Sequence, residues 1–167
     1  MAYKNKVFVS FDGDNDIHYY RLMRAWKQND NTSFNFYDAH DINTALDTST
    51  EETIKRRLKE RLSSSKVVVS LIGEKTKYLY RFVRWELEQS LKLGLPIIGV
   101  NLNGKRSQDI DRCPPILRDE LVVYISFNAA ILQYALENWP QEFYRLKAQG
   151  VSGPRYYPKE VYGQLGL

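Results

Sequence analysis

Residues 66–100 read KVVVSLIGEKTKYLYRFVRWELEQSLKLGLPIIGV, and the changes of pattern within them decide the fold. Residues 66–72 are apolar almost throughout and are closed by Gly73, as expected of a central strand covered on both faces. From 81 to 93 the apolar positions recur at helical spacing instead. Residues 95–102 return to a strand pattern, with Pro96 near the start, where a missing backbone donor is tolerated. Strand, helix, strand in that order is the unit of a parallel sheet with crossover helices.

The same alternation extends in both directions. Residues 6–11 (KVFVSF) form an expected first strand, followed by an acidic loop over 12–16 and an amphipathic helix to about Lys27. Residues 34–37 read as a second strand. The polar stretch 38–50 is a long loop by ordinary connection lengths, and Ser49 with Glu52 has the spacing of a capping box opening the next helix. After a loop over 103–115, residues 121–125 (LVVYI) read as the last strand. Residues 129–147 are helical, with Pro140 expected to end or kink the helix. The core is expected over about 5–147, with 148–167 an irregular tail packing by its tyrosines. Five strands with intervening helices predict one domain over 1–167 with an α/β, flavodoxin-like three-layer fold and a central, mainly parallel five-stranded sheet. Ligands of such sheets sit beyond the carboxyl ends of the strands, which selects the loops 11–16, 38–50, 73–80 and 101–112.

One side chain breaks the pattern. On a helix over 81–93, Phe82, Val83, Glu86, Leu87, Ser90, Leu91 and Leu93 share an arc, while Arg81, Arg84, Glu88 and Lys92 lie opposite. Glu88 has ordinary i, i+4 partners. Glu86 points to the apolar side, where a carboxylate is costly unless it is paired, protonated or in use. Two readings stand at this point: Glu86 reaches solvent or an arginine from the edge of the arc, or it is functional.

Composition limits the alternatives. With 43% apolar residues and 13% aromatics, 167 residues can bury a substantial core. A single cysteine, Cys113, excludes an internal disulfide framework, and its place before Pro114 and Pro115 reads as structural. The start MAYKNKVFVSF has no leader-like apolar stretch, and no run reaches the length of a membrane span, so a soluble, cytoplasmic chain is expected. The formal net charge of +4 invites a nucleic-acid role. However, Lys55, Arg56, Arg57, Lys59 and Arg61 interleave with Ile54, Leu58 and Leu62, and Glu51 and Glu52 precede Lys55 and Arg56 by four. That is the solvated face of an amphipathic helix, so neither nucleic acid nor membrane is an expected partner.

Familiar chemistries fail on spacing. Asp12, Asp14 and Asp16 match the first, third and fifth positions of a calcium loop, but Ile17 stands where glycine is required and Met23 where a bidentate glutamate is. A turn that caps the next helix is the competing account of these acids, and no metal is expected. A phosphoacceptor receiver needs an aspartate at the end of the third strand, where this chain has Ser70-Leu71-Ile72-Gly73. No glycine-rich phosphate loop follows a strand. His18 and His40 are the only histidines and neither lies near a serine nucleophile elbow.

The ordered combination VFVSF, acidic loop, a helix with Arg21, Arg24 and Trp26, IKRRLKERLSSSKVVVSLIG, and RFVRWELEQSLKLGLPIIGV resembles the bacterial TIR-like domains of the Thoeris ThsB type, from anti-phage defence. The resemblance covers roughly the first hundred residues. It implies cleavage of the nicotinamide–ribose bond of NAD+, as substrate rather than cofactor, by a glutamate on the helix after a central strand. Phe82-Val83-Arg84-Trp85-Glu86 holds the spacing of the family's W-x-x-x-E pattern with Phe82 in place of tryptophan, which makes Glu86 the implied catalytic residue. By the same carry-over Ser10, Phe11, Asp12, Asp16, Asp38 and Phe82 are implied substrate-binding positions, and His40 lies with Asp38 at the opening of a loop implied in self-association. The resemblance further implies a cyclic ADP-ribose isomer as nucleotide second messenger to a separate effector. A non-enzymatic TIR-like interaction module is the alternative.

Overall fold

Every residue of Val67–Ile72 is buried, because this strand lies inside a sheet with helices on both faces. The structure, a computed structural model, describes residues 6–28, 37–38 and 50–167. Its strands are β1 (Lys6–Ser10), β2 (Tyr37–Asp38), β3 (Val67–Ile72), β4 (Ile97–Asn101), β5 (Val122–Ser126) and β6 (Arg155–Tyr156). All neighbours are parallel, in the order β2-β1-β3-β4-β5-β6. The first five follow the flavodoxin order, whose switch point lies between β1 and β3.

Strand periodicity sorts the side chains into two cores. Val7, Val9, Val69, Leu71, Ile98, Val100, Val123 and Ile125 face α1 (Ile17–Gln28), α4 (Ala129–Ala148) and α5 (Lys159–Gln164). Phe8, Val68, Ile72, Ile97, Val122 and Tyr124 face α2 (Glu51–Ser64) and α3 (Val83–Lys92). On the second face the register aligns Ser10, Ser70, Gly99 and Tyr124 in one row across four strands. Gly99 is required there: a Cβ would lie 2.6 Å from Cδ1 of the Tyr124 ring. Tyr124 is itself held by Cys113 Sγ and Gln108 Nε2, each 3.2 Å from its hydroxyl.

Several sequence expectations change. The segment expected to be an irregular tail supplies β6 and α5, and Tyr157 and Tyr162 are buried against α4. Tyrosine density gave the packing, but a two-residue strand has no detectable period. Pro140 does not end its helix, since α4 runs through to Ala148. Eight buried residues of α4 dock it on the sheet, so tertiary packing outweighs one lost backbone bond. The N-cap of α2 is Thr50, whose hydroxyl accepts from Thr53 N at 3.2 Å; Ser49 lies outside the described residues. Leu93 is 43% exposed, because it follows the last turn of α3 instead of continuing its arc. Of the second strand, only Tyr37 and Asp38 fall within the described residues, and the loop 38–50 lies almost wholly outside them.

Among the described residues, no helix is long and apolar enough to cross a membrane. Leu58 and Leu62 bury the inner face of α2, while Glu51 pairs with Lys55 at 3.1 Å and with Arg81 at 3.4 Å.

Candidate functional site at the β1–β3 switch point

Glu86 is 2% exposed, on the first turn of α3 and directed at the sheet. The hydroxyl of Ser10, the last residue of β1, donates to its Oε1 at 2.9 Å. Burial pushes the Glu86 carboxyl up to about 8, and the Ser10 hydrogen bond only partly opposes this. The backbone beneath is well tied: Glu86 N donates to Phe82 O at 2.7 Å, and Ser90 Oγ donates to Glu86 O at 2.7 Å. The side chain lies under the helix and not at its rim, so Glu86 does not reach solvent.

The neighbouring strand adds a group that sequence reasoning passed over. Ser70 is the register partner of Ser10, fully buried, and its hydroxyl has no hydrogen-bond partner among the described residues. Parallel neighbours are separated by about 4.8 Å, so two serine hydroxyls occupy the same face of the sheet side by side. The available signal was a serine interrupting VVVSLI, which is otherwise wholly apolar.

The loop after β1 is ordered by Asp12. Its Oδ1 accepts from Asp14 N at 3.0 Å and Asn15 N at 3.1 Å, and its Oδ2 from Asn15 Nδ2 at 2.6 Å. Asp12 therefore shapes the turn that leads into α1. Asp16 lies against Gly73 at the end of β3, where a Cβ would approach its Oδ2 to 2.2 Å. Gly73 is thus more than a strand terminator, since it makes room for this carboxylate. Asp16 is 7% exposed and its Oδ2 has no hydrogen-bond partner among the described residues. Burial, and next the charge of Asp12, raise its pKa, while His18 and Arg112 act in the opposite direction. Among the described residues no group of three or more His, Cys, Asp or Glu side chains is arranged to hold a metal ion.

The remaining sequence candidates are dispersed. Phe11 points to the opposite core, stacked on Tyr20 with centroids 4.6 Å apart. Strand alternation explains this, since neighbouring Ser10 and Phe11 face opposite ways. Phe82 sits at the N-cap of α3, half-buried, with the Arg81 guanidinium 5.2 Å from its ring centroid. Asp38 ends β2, but its side chain lies outside the described residues, as does the whole of His40. Cys113 is buried and free, and burial raises its thiol pKa. The structure thus brings Ser10, Ser70 and Glu86 to one face, and Asp12, Asp16 and Gly73 to the adjoining strand ends.

A crystal structure described as a conserved protein from Enterococcus faecalis V583 is similar over 95% of this chain and 94% of its own, with 14% identity and a TM-score of 0.45. Residues 8–107 match the family described as Thoeris protein ThsB, TIR-like domain, a span that contains the end of β1 and all of β3, α3 and β4, together with Ser10, Ser70 and Glu86. The chain belongs to the TIR-like domain family of the Thoeris protein ThsB.

Proposed function

We propose that this chain is an NAD+-consuming signalling enzyme of Thoeris defence, which cleaves the nicotinamide–ribose bond at Glu86. One observation carries the proposal: a fully buried carboxyl, hydrogen-bonded to the last residue of β1, stands at the switch point of a parallel sheet. A group so placed is a candidate functional residue on physical grounds.

The chemistry suits such a carboxyl. As the bond from ribose C1′ to the pyridinium nitrogen breaks, its electron pair neutralises the nicotinamide ring, so the leaving group needs no proton. Positive charge moves onto the ribosyl carbon, and an adjacent carboxylate stabilises it. Glu86 with a pKa near 8 is largely protonated in the free protein at neutral pH. The pyridinium charge of bound NAD+ favours the ionised form, so substrate binding and Glu86 ionisation are coupled. Ser10 donates to the charged carboxylate, and we infer that the Ser70 hydroxyl, without a partner among the described residues, turns to it when Glu86 ionises. Capture of C1′ by water gives ADP-ribose, whereas capture by the adenine end gives a cyclic isomer; each releases one proton. We favour the cyclic product, acting on a separate effector, with self-association of TIR-like domains assisting activity.

Incubation of the purified protein with NAD+, with products resolved by chromatography, tests this directly. Nicotinamide release that disappears in Glu86→Gln supports it. A second reading, a non-enzymatic interaction module, draws on the 2% exposure of Glu86, which also fits a structural Ser–Glu contact. Absence of any nicotinamide release under conditions where the domain assembles would favour that reading.

A further inference from the structure

The loop that follows β4 folds around two buried polar side chains. Asn101 donates from Nδ2 to Lys105 O at 3.0 Å and to Ser107 O at 2.8 Å. Asp109 accepts from Asp111 N at 3.0 Å through Oδ1 and from Asn103 Nδ2 at 2.8 Å through Oδ2. The carbonyl oxygen of Asp109 then accepts from Arg112 N at 3.2 Å and from Cys113 N at 2.8 Å. Lys77 Nζ donates to Asp111 O, which ties this loop to the one joining β3 to α3. The backbone of Arg112 is therefore fixed at the carboxyl end of the sheet, where ligands of such folds sit.

The side chain of Arg112 is not committed in the same way. Neighbouring cations have partners: Lys77 holds Asp111, Lys105 lies 3.5 Å from Asp109, and the Arg106 guanidinium is 4.0 Å from the Tyr162 ring centroid. Arg112 is half-buried, and its guanidinium forms no ion pair or hydrogen bond among the described residues. A cation partly withdrawn from water without an anion gives up hydration for no return. Half-burial also leaves part of the side chain open to a ligand. Its charge acts on Asp16, which lies against Gly73, so Arg112 faces the end of β3 beside the switch point.

A planar fork of N–H donors without an anion calls for a bidentate oxyanion. The nearby carboxylates do not supply it: Asp12 spends both oxygens on its own turn, and Asp16 makes no ion pair with Arg112. NAD+ carries such an oxyanion in its diphosphate, on the far side of the ribose that reacts. Gly73 follows Ser70 by about 10 Å of strand, so a reacting ribose beside Ser10 and Glu86 directs the diphosphate toward the strand end that Arg112 faces. We propose that Arg112 binds the diphosphate of the dinucleotide substrate, donating two N–H groups to its non-bridging oxygens and so fixing where the reacting ribose meets Glu86. This role rests on the NAD+ reading of the site, and Arg112 lies beyond the residues 8–107 that match the family.

Calorimetric titration with ADP, which carries the diphosphate and lacks the nicotinamide ribose, reads Arg112 apart from Glu86. Arg112→Gln should weaken ADP binding about tenfold or more, as for a lost charged hydrogen bond. Arg112→Lys, which keeps the charge and loses the fork, should fall between. Glu86→Gln should bind ADP as the parent does. In turnover of NAD+, Arg112→Gln should raise KM by a similar factor with little change in kcat. Equal ADP affinity in the parent and Arg112→Gln overturns the proposal, as does a parent that fails to bind ADP at millimolar concentration. Asp16→Asn removes a negative charge and should leave ADP binding unchanged or tighter; a weakening equal to that of Arg112→Gln overturns the proposal by making Arg112 a structural partner of Asp16. Arg112-dependent ADP binding without any nicotinamide release supports the diphosphate site and counts against the chemistry assigned to Glu86. Intact turnover with an unchanged KM in Arg112→Gln does the reverse.

Discussion

The hydroxyl of Ser10 and the carboxyl of Glu86 meet at 2.9 Å although 76 residues separate them. One closes the first strand and the other opens the third helix, and the parallel sheet sets them face to face. Most of the functional expectations for this chain follow from that contact.

Glu86→Gln preserves shape and removes the ionisable group. Nicotinamide release from NAD+ should fall by about a hundredfold or more, as when an electrostatic stabiliser is lost. Glu88→Gln is the control, since Glu88 lies at the surface, 3.6 Å from Lys92, and its activity should match the parent. Full activity in a folded Glu86→Gln protein would remove Glu86 from the chemistry.

The same substitution should stabilise the fold, with a defined pH dependence. Below about pH 4.5 the carboxyl is protonated both folded and unfolded, and its burial carries no ionic penalty. From there to about 8 only the unfolded chain ionises, so the parent loses stability as pH rises; above 8 the loss is complete. The gap in Tm between Glu86→Gln and the parent should be near zero at pH 4 and widest at pH 8, corresponding to a few kcal/mol. Melting curves across this range check it, and a gap that is constant with pH contradicts a raised Glu86.

Activity should carry the same group. The pH profile of kcat/KM reports the free protein and should rise with pH toward a limb near 8. The kcat limb should lie lower, because the bound pyridinium favours the carboxylate. Ser10→Ala removes a hydrogen bond that lowers the Glu86 pKa and should move the kcat/KM limb to higher pH. Ser70→Ala should leave Tm unchanged or raised, since its hydroxyl has no partner to lose, while reducing turnover about tenfold. Unaltered turnover in Ser70→Ala would restrict the hydroxyl support to Ser10.

Two glycine substitutions should separate. At Gly99 a Cβ meets the Tyr124 ring at 2.6 Å, and that ring is locked by Cys113 and Gln108. Gly99→Ala should therefore destabilise by about 1–3 kcal/mol, as overpacking does. At Gly73 the obstacle is the Asp16 carboxylate, a side-chain end that can move aside. Gly73→Ala should thus cost less stability and act on turnover by displacing Asp16. Denaturant unfolding and NAD+ assays on both variants decide this, and equal loss of stability would show that Asp16 is as rigid as Tyr124.

How much of this was legible beforehand depends on the range of the forces involved. Strand order and face assignment rest on period-two and period-3.6 patterns, which are local, so the α/β character and the buried arc of α3 followed from the residues alone. Glu86 was visible for the same reason, as a charge on an apolar arc. Partners were not visible, because a hydrogen bond between β1 and α3 depends on register, which alternation constrains only to a face. Hence Ser70 went unnoticed beside Ser10, and Phe11, adjacent to a site residue in sequence, turned to the opposite core. The role of Gly73 required knowing that Asp16 lies over it. The tail resisted for a different reason. A two-residue strand and a six-residue helix have too few positions to show a period, and only docking against α4 and β5 gives them their form. Sequence alone determined the apolar faces of the main strands and helices and which carboxyl on them is anomalous, since those faces follow from local patterning. The tertiary structure decided what those residues touch, since contact between distant segments is set by sheet register and packing.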